Sequence, residues 1–249
     1  MITACYISFY WVLLPGLSIC SPEVARCWWF RFLIFLGLPP HVANATNRVA
    51  ILLQNIVSTA TFRQKKILNF KTDYPLLLPT TLGSILGAFT AVDIQAAVLQ
   101  KMIGGLLVVM FFMILLDPNT WVKSNIEKAK ARHPWVRFLI FLGIGFYGGF
   151  IQIGVGFFML GGLVLGCGYD LLKANALKVL LILIYTFGAL IIFVWYDLVD
   201  WRTGLILACG NMAGAWIGTR LSVKWGAKYI RYILLLALVM VALKLFGIF

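Results

Sequence analysis

The sequence has few acidic residues and few charges of either sign. Asp and Glu number 8 against 21 Lys and Arg, and charged residues make up 12% of the chain. A soluble domain carries about 25% charged residues, whereas 62% of this chain is hydrophobic, so the composition excludes a soluble domain. Because a spanning helix needs about 20 apolar residues, the long apolar runs indicate an all-α, polytopic membrane protein.

The residues that usually carry catalysis and metal binding are also scarce. The chain has two histidines, and its five cysteines follow no Cys-x-x-Cys or Cys/His spacing. We therefore expect no metal site and no disulfide framework. HExxH, GxSxG and P-loop motifs are absent, so neither an enzyme nor a cofactor is predicted. No acidic residue lies deep in an apolar run, which leaves a proton relay without an obvious member.

The basic residues have a distribution typical of membrane proteins. A net charge of +13 would suggest nucleic acid as the partner of a soluble protein. Here Lys and Arg lie in short loops between apolar runs, where they set topology and contact lipid headgroups. The expected partner is thus a lipid bilayer and not nucleic acid, and the expected location is an inner membrane. Residues 1–20 lack the basic start of a cleaved signal peptide, so none is predicted.

Seven to nine membrane spans are predicted from the apolar runs. The segments 2–20 and 28–38 are short and broken by proline, and Asp117–Pro134 is predicted to be an amphiphilic surface helix. The remaining predicted helices are Ala43–Phe62, Tyr74–Val92, Ala96–Leu116, Val136–Cys167, Leu171–Tyr196, Thr203–Leu221 and Tyr229–Phe249.

The chain repeats itself at an offset of 131 residues without gaps. Ala43-Asn44-Ala45 matches Ala174-Asn175-Ala176. Further pairs at this offset are Gly37 with Gly168, Phe70-Lys71 with Trp201-Arg202, Thr72 with Thr203, Gly83 with Gly214, and Gly87 with Gly218. Internal duplication is typical of secondary transporters. We therefore expect two homologous repeats of about four helices each, at 1–116 and 136–249, joined by a linker at 117–135.

The loops that correspond in the two halves have opposite charge bias. The loop after the first Asn-containing helix holds Arg63, Lys65, Lys66 and Lys71, and its counterpart holds Asp197, Asp200 and Arg202. The next loop holds Asp93 and Lys101, and its counterpart holds Arg220, Lys224, Lys228 and Arg231. Under the positive-inside rule, the two repeats are inverted and the basic linker is cytoplasmic.

Six of the 17 residues in Phe146–Gly162 are glycine, although glycine costs about 1 kcal/mol in a helix. The enclosing run, Val136–Cys167, would span about 48 Å as one helix, too short for two crossings of a ~30 Å core and long for one. Inverted repeats favour a hairpin of two short helices that meet at the glycines. One long tilted helix with a parallel repeat is the alternative, and close packing through small residues also explains such clusters.

Two pairs of polar residues are candidates for binding a solute. Asn44 and Asn175 begin equivalent helices, where they either only cap free N–H groups or also form an anion cradle. Arg48 and Lys178 lie one turn deeper in apolar segments. A cation inside a membrane suggests a functional site, and the alternative is that both side chains extend to the headgroups.

The sequence resembles the TauE/SafE family of membrane transporters in four segments: ANATNRVAILLQN with a basic loop, GGFIQIGVGF, KANALKVLLILIY, and DW with GNMAGAWIGTRL. The resemblance runs from about Leu33 to the C-terminus and implies export of sulfite or organosulfur anions. Two features depart from the family. GVGFF replaces the commoner GxGGG, and Leu17–Ala25, the counterpart of Gly148–Gly156, has no glycine. We expect residues 1–32 not to be a faithful copy of the second repeat's opening; divergence, a wrong start and a frame error each explain this.

Taken together, these features predict a secondary transporter that moves a small anion by alternating access. The predicted solute-binding residues are Asn44, Arg48, Gly148, Gly149, Gln152, Gly154, Gly156, Asn175 and Lys178. The glycines would let backbone N–H groups approach the solute, and the two cations would supply positive potential. A channel-like or non-transporting membrane subunit is the second hypothesis, and an enzyme that acts on lipid is the third.

Overall fold

The computed structural model describes residues 33, 37–68, 74–92, 134–152 and 154–245. Regular secondary structure within these ranges is entirely helical, which confirms the predicted all-α class. The helices are α1 (Pro40–Gln64), α2 (Leu77–Val92, after a 3₁₀ turn at Tyr74–Leu76), α3 (Pro134–Phe150), α4 (Val155–Gly161, continued by a π-helical turn at Gly162–Gly166), α5 (Leu171–Trp195) and α6 (Trp201–Leu245). The predicted helix Ala96–Leu116, residues 1–32 and nearly all of the linker lie outside the described residues.

Helix α1 starts three residues earlier than predicted, at Pro40 instead of Ala43, whereas α5 starts at Leu171 as predicted. Helix α1 begins with Pro40, which suits the first helical position because its missing N–H would be unbonded there anyway. Helix α5 is capped by Asp170, whose Oδ1 accepts the N–H groups of Leu172 and Lys173 at 3.0 Å each. Asn44 and Asn175 are therefore each the fifth residue of a helix, and their prediction as N-caps is wrong.

Helices α1 and α5 have the same length and the same turns at both ends. Each has 25 residues. Each follows a glycine with positive φ, Gly37 at 88° and Gly168 at 67°. Two residues after its last residue, each is followed by a non-glycine residue in the left-handed region, Lys66 at φ 57° and Asp197 at φ 53°. Both pairs of residues are 131 positions apart in the sequence.

The glycine-rich segment folds into a hairpin. Helices α3 and α4 are separated by a turn between Phe150 and Val155, which we call the helix break. Gly154 in this turn adopts a left-handed conformation with φ 79°. A Cβ atom placed on Gly162 would lie 3.0 Å from Ile144 Cδ1, and the rings of Tyr147 and Phe158 meet edge to face at 5.5 Å. The returning chain therefore packs against α3, as the hairpin hypothesis predicts, and a single long helix over Val136–Cys167 is wrong.

Helices α2 and α3 pack with their backbones in near contact. A Cβ atom on Gly83 or Gly87 would lie about 2 Å from a carbonyl oxygen of α3, and one on Gly145 or Gly149 equally close to a carbonyl oxygen of α2. Small residues four apart on both helices permit this approach, as is common between membrane helices. Part of the glycine cluster is therefore a packing seam.

Helices from the beginning and from the end of the described chain pack against each other. Helix α1 packs on α5 and α6, and α5 packs on α2. Ser84 on α2 donates a hydrogen bond to the carbonyl of Tyr185 at 3.1 Å.

The Asp200 carboxylate caps α6, and the Asp200 N–H donates to Thr46 Oγ1 at 3.0 Å. The hydrogen bond from the Thr203 hydroxyl, with those from the backbone N–H groups of Thr203 and Arg202 and the nearby Arg202 charge, lowers the pKa of Asp200, and burial opposes this effect.

Among the described helices, α5 is long and apolar enough to cross a membrane, whereas α2, α3 and the Val155–Gly166 segment are apolar but shorter. One such helix carries little weight alone, since a buried core helix has the same properties. Exposed side chains on α2, α3 and α5 also indicate a membrane protein, because many of them are large and apolar. They are Leu78, Leu82, Leu86, Phe89, Leu139, Phe146, Phe187 and Ile191. Leu78, Leu82, Leu86 and Phe89 recur at helical spacing on α2, and an exposed apolar face of this kind is unusual for a soluble monomer.

The packing seam predicts a contrast between two glycine substitutions. Gly87→Ala would place its Cβ 1.9 Å from the Phe146 carbonyl oxygen, so α2 and α3 must separate, at a cost of about 1–3 kcal/mol. Gly143→Ala on α3 is the matched control, because its Cβ would meet nothing within 4 Å and alanine favours helix. Thermal unfolding in detergent should show a lower midpoint for Gly87→Ala alone. Equal midpoints for the two variants would contradict the seam.

Candidate functional site

The helix break lies between α1 and α5, and α1 supplies the bonds that hold it. Arg48 Nη2 donates a hydrogen bond to the Gly149 carbonyl, and Asn44 Nδ2 donates to the Phe150 carbonyl at 3.3 Å. These are the last two carbonyls of α3, which lack partners within their own helix. The C-terminal end of a helix also carries negative partial charge, so a buried cation is stabilised at this position.

Both predicted intramembrane cations are buried inside the protein. Arg48 is 0% exposed and Lys178 is 1% exposed, so neither side chain reaches the surface. The alternative in which both extend to the lipid headgroups requires exposed side chains and is therefore wrong. The Arg48 guanidinium carbon lies 4.7 Å from the ring centre of Phe193, a favourable cation–π geometry. None of the acidic residues in the described ranges is buried. This part of the core therefore has positive charge without a buried carboxylate.

Gln152 links the helix break to α5. Its side chain is 1% exposed, and its Nε2 donates to the hydroxyl of Thr186 at 2.9 Å. Its Oε1 is buried and has no hydrogen-bond partner among the described residues. The Gln152 amide is thus buried at the helix break and bonded to α5 through Thr186.

The four predicted site glycines have identifiable structural roles. A Cβ on Gly148 would lie 2.9 Å from Val155 Cγ2 and 3.0 Å from Tyr185 Cζ, so this glycine lets α3, α4 and α5 approach closely. Gly149 belongs to the seam with α2, Gly154 makes the turn, and Gly156 is buried in the first turn of α4. Close packing therefore accounts for Gly148 and Gly149 without a solute.

Asn175 differs from Asn44 although it occupies the equivalent place in its helix. It is 0% exposed, and neither atom of its amide group has a hydrogen-bond partner within the described part of the chain. Buried polar groups in native proteins are nearly always bonded, so such an exception requires an explanation. Lys178 follows three residues later on the same face of α5, as helical spacing dictates. Asn175 and Lys178 thus form a second polar cluster in the core.

Some contacts at the site were not predicted from the sequence. Phe193 was not singled out, although it matches Phe62 at the 131-residue offset; that match was the available signal. Thr186 and Asn47 are not among the predicted binding residues. Thr186 proves to hold Gln152, and Asn47 places a buried Oδ1 without a partner among the described residues one position before Arg48.

The helical hairpin, the exposed apolar faces and the buried cations together define a helical membrane protein. The chain belongs to the family described as sulfite exporter TauE/SafE, whose family model matches residues 30–245. This confirms the resemblance of the four sequence segments.

Several relatives carry names of one kind. The chain is 30% identical to "Probable membrane transporter protein YfcA" of Escherichia coli (strain K12) over 86% of this chain and 78% of that protein. It is 28% identical to "Probable membrane transporter protein ORF9" of Sinorhizobium sp over 86% of this chain and 81% of that protein. A third such protein, of Haemophilus influenzae, is 25% identical over 86% and 83% of the two chains. No solved structure matches. These names indicate membrane transporters rather than enzymes.

The unequal bonding of the two asparagines predicts unequal effects on stability. Asn44→Leu leaves the buried Phe150 carbonyl without its donor, which costs about 1–3 kcal/mol. Asn175→Leu replaces an amide that has no described partner with an apolar group of similar shape, which is close to neutral or stabilising. Thermal unfolding of the two variants without added solute measures the difference. Equal destabilisation would mean that the Asn175 amide has a structural partner.

Proposed function

We propose that this protein is a secondary transporter that moves a small anion, with sulfite or an organosulfonate as the favoured class, out of the cell by alternating access. The observation that supports this most directly is that two cations, Arg48 and Lys178, are fully buried in the core. A cation in a membrane core is expensive and is retained for a function. The family description, sulfite exporter, supports the choice of anion.

In this proposal, the solute site is formed by the helix break together with the residues around Asn44 on α1 and around Asn175 on α5. Arg48 supplies positive potential beside the break, and Lys178 and Asn175 supply charge and an amide on α5. Gln152 lies at the helix break with its amide bonded to Thr186, and the backbone N–H groups of the glycine segment approach the solute. Discontinuous helices at mid-membrane bind solutes in this way in many transporters.

We further propose that the chain consists of two inverted repeats, at 1–116 and 136–249, with the linker at 117–135 on the cytoplasmic side of an inner membrane. The matched lengths and end turns of α1 and α5 support a repeat. So does the crosswise packing, in which α1 contacts α6 and α5 contacts α2, because the 131-residue offset relates α1 to α5 and α2 to part of α6. The opposite loop charges support inversion.

A channel-like or non-transporting subunit is the second candidate. The contacts of Arg48 favour this candidate, because its bond to the Gly149 carbonyl and its position over the Phe193 ring give the cation a structural role that needs no solute. Uptake of labelled sulfite into proteoliposomes separates the candidates. Saturable uptake with counterflow indicates a carrier, unsaturable flux indicates a channel, and no flux contradicts the proposal.

The inversion predicts that equivalent loop positions lie on opposite sides of the membrane. Lys65 and Tyr196 are both exposed and both end their helices at the same offset. Lys65→Cys and Tyr196→Cys, each in a background without native cysteines, should react with an impermeant maleimide from opposite sides of oriented vesicles. Labelling of both from one side would show a parallel repeat.

Lys178 is expected to contribute directly to solute affinity. Lys178→Gln should preserve the fold, because it removes a charge that is costly to bury, and it should weaken binding more than about tenfold, or 1.4 kcal/mol. Lys173→Gln is the control on the same helix, since Lys173 is only half-buried and its ammonium lies 4.7 Å from the Tyr169 ring centre. Calorimetry with sulfite measures both. A folded Lys178→Gln variant that binds as tightly as the wild type would remove Lys178 from the site.

A further inference from the structure

The two buried cations lie toward opposite ends of the helix pair α1 and α5, which run in opposite directions. Arg48 near the start of α1 places its guanidinium carbon 4.7 Å from the ring centre of Phe193, near the end of α5. Toward the other end of the pair, Phe62 on α1 belongs to the same buried apolar cluster as Leu171, the first residue of α5. Lys178 is the eighth of the 25 residues of α5 and therefore lies toward this second end.

The separation along α5 is too large for one small anion to contact both cations. Lys178 precedes Phe193 by 15 residues, which corresponds to about 22 Å along the helix axis. The Cα–Cβ bonds of a helix tilt toward its N-terminus, so the side chain of Lys178 leaves α5 in the direction away from Phe193 and from the guanidinium beside that ring. A cation bonds an oxyanion over about 2.7–2.9 Å. Sulfite in contact with one cation therefore does not reach the other.

Apolar side chains occupy the stretch of α5 between the two cations. Thr186 marks the level of the helix break, because its hydroxyl lies 2.9 Å from the Gln152 amide. Residues 179–185, between Lys178 and Thr186, carry no charge, and most of them belong to the same buried apolar cluster as the residues of α4. This packing separates the surroundings of Lys178 from the helix break.

Asn175 gives the Lys178 position a second polar group. It lies three residues before Lys178 on the same face of α5, and the two side chains are almost completely buried. Neither atom of the Asn175 amide group has a hydrogen-bond partner among the residues that the structure describes. A buried polar group in this state requires an explanation. A bound anion supplies one, because the amide N–H groups and the Lys178 ammonium both donate hydrogen bonds.

The helix break offers a different set of donors. The Arg48 guanidinium carries five N–H donors in a planar fork, so it can donate to the Gly149 carbonyl and to an anion at the same time. A guanidinium also matches the geometry of oxyanions well. Each position thus has its own buried cation, and neither needs the other to bind an anion.

We propose that the protein binds two anions at a time, one at the helix break beside Arg48 and one on α5 beside Asn175 and Lys178, as successive positions on a path through the helices. The inference rests on the proposed anion transport and divides its solute site into two positions. Each position is nearer to a different end of the helix pair, so a solute that crosses the protein meets them in turn. A path with more than one binding position lets a solute bind and still be released.

Calorimetry of the purified full chain with sulfite counts the positions. We expect two sulfite ions per wild-type chain. Lys178→Gln should leave one ion per chain, bound within about twofold of its affinity in the wild type, because effects at distant sites are independent. The weakening expected for Lys178→Gln then concerns one of the two ions. Lys173→Gln, on the same helix and half-buried, is the matched control and should retain both ions.

Asn175→Leu tests the same position without changing any charge. It removes an amide that has no described partner, so the fold should be kept, and the ion beside Lys178 should be weakened while the ion at the helix break is unchanged. A Lys178→Gln variant that fails to fold therefore does not prevent the test. Two ions bound with unchanged affinities in Asn175→Leu would remove Asn175 from the position.

The outcomes separate this inference from the proposed function. A single sulfite ion per wild-type chain contradicts the two positions, and the proposed anion binding stands. Its loss in Lys178→Gln would then assign it to α5, and its retention would assign it to the helix break. Two ions that are both retained in Lys178→Gln would show that the second position is not beside Lys178. A wild-type chain that binds no sulfite contradicts the proposed function itself, and the two positions fall with it.

Discussion

The bond between Arg48 and the end of α3 is the constraint on which the site depends. A helix that stops inside an apolar core exposes carbonyl groups without partners, and each would be costly there. Arg48 and Asn44 supply donors to the last two carbonyls, and the positive charge faces the negative end of the helix dipole. The broken helix and the buried cation therefore stabilise each other, since each would be expensive alone.

Glycine makes this arrangement possible through packing more than through flexibility. Gly148 brings α3, α4 and α5 together, and Gly149 places the backbone of α3 against that of α2. The carbonyl of Gly149 is then in reach of α1. A side chain at position 149 would push α3 away from α2 and disturb the bonds at its end. Packing and site geometry are thus two consequences of the same residues, which is why the sequence pattern alone did not distinguish them.

The helical class, the hairpin and the two cations inside apolar segments could be predicted from the sequence, because each leaves a strong local signal. Long apolar runs indicate helices, and clustered glycines next to a run of unsuitable length indicate a break. Helix starts were less accurate. Asn44 and Asn175 resemble caps, but the helices begin at Pro40 and Leu171, each four residues before its asparagine. The bonds of Arg48 to Gly149 and of Gln152 to Thr186 join residues 101 and 34 positions apart. Such pairs depend on tertiary packing and have no local signature.

Helices α1 and α5 match in length and in their end turns but not in the placement of their charges. At the 131-residue offset, Arg48 corresponds to Val179 and Lys178 corresponds to Asn47. The two cations therefore sit one residue apart in register, which is about 100° around a helix. Arg48 follows its asparagine by four residues and Lys178 follows its asparagine by three. Arg48 bonds the end of α3, whereas Lys178 lies on the face of α5 that carries Asn175, whose amide has no hydrogen-bond partner among the described residues. Under the proposed two-repeat organisation, the two halves therefore contribute chemically different groups to the proposed site, a guanidinium anchored to backbone in one half and an ammonium near an amide in the other.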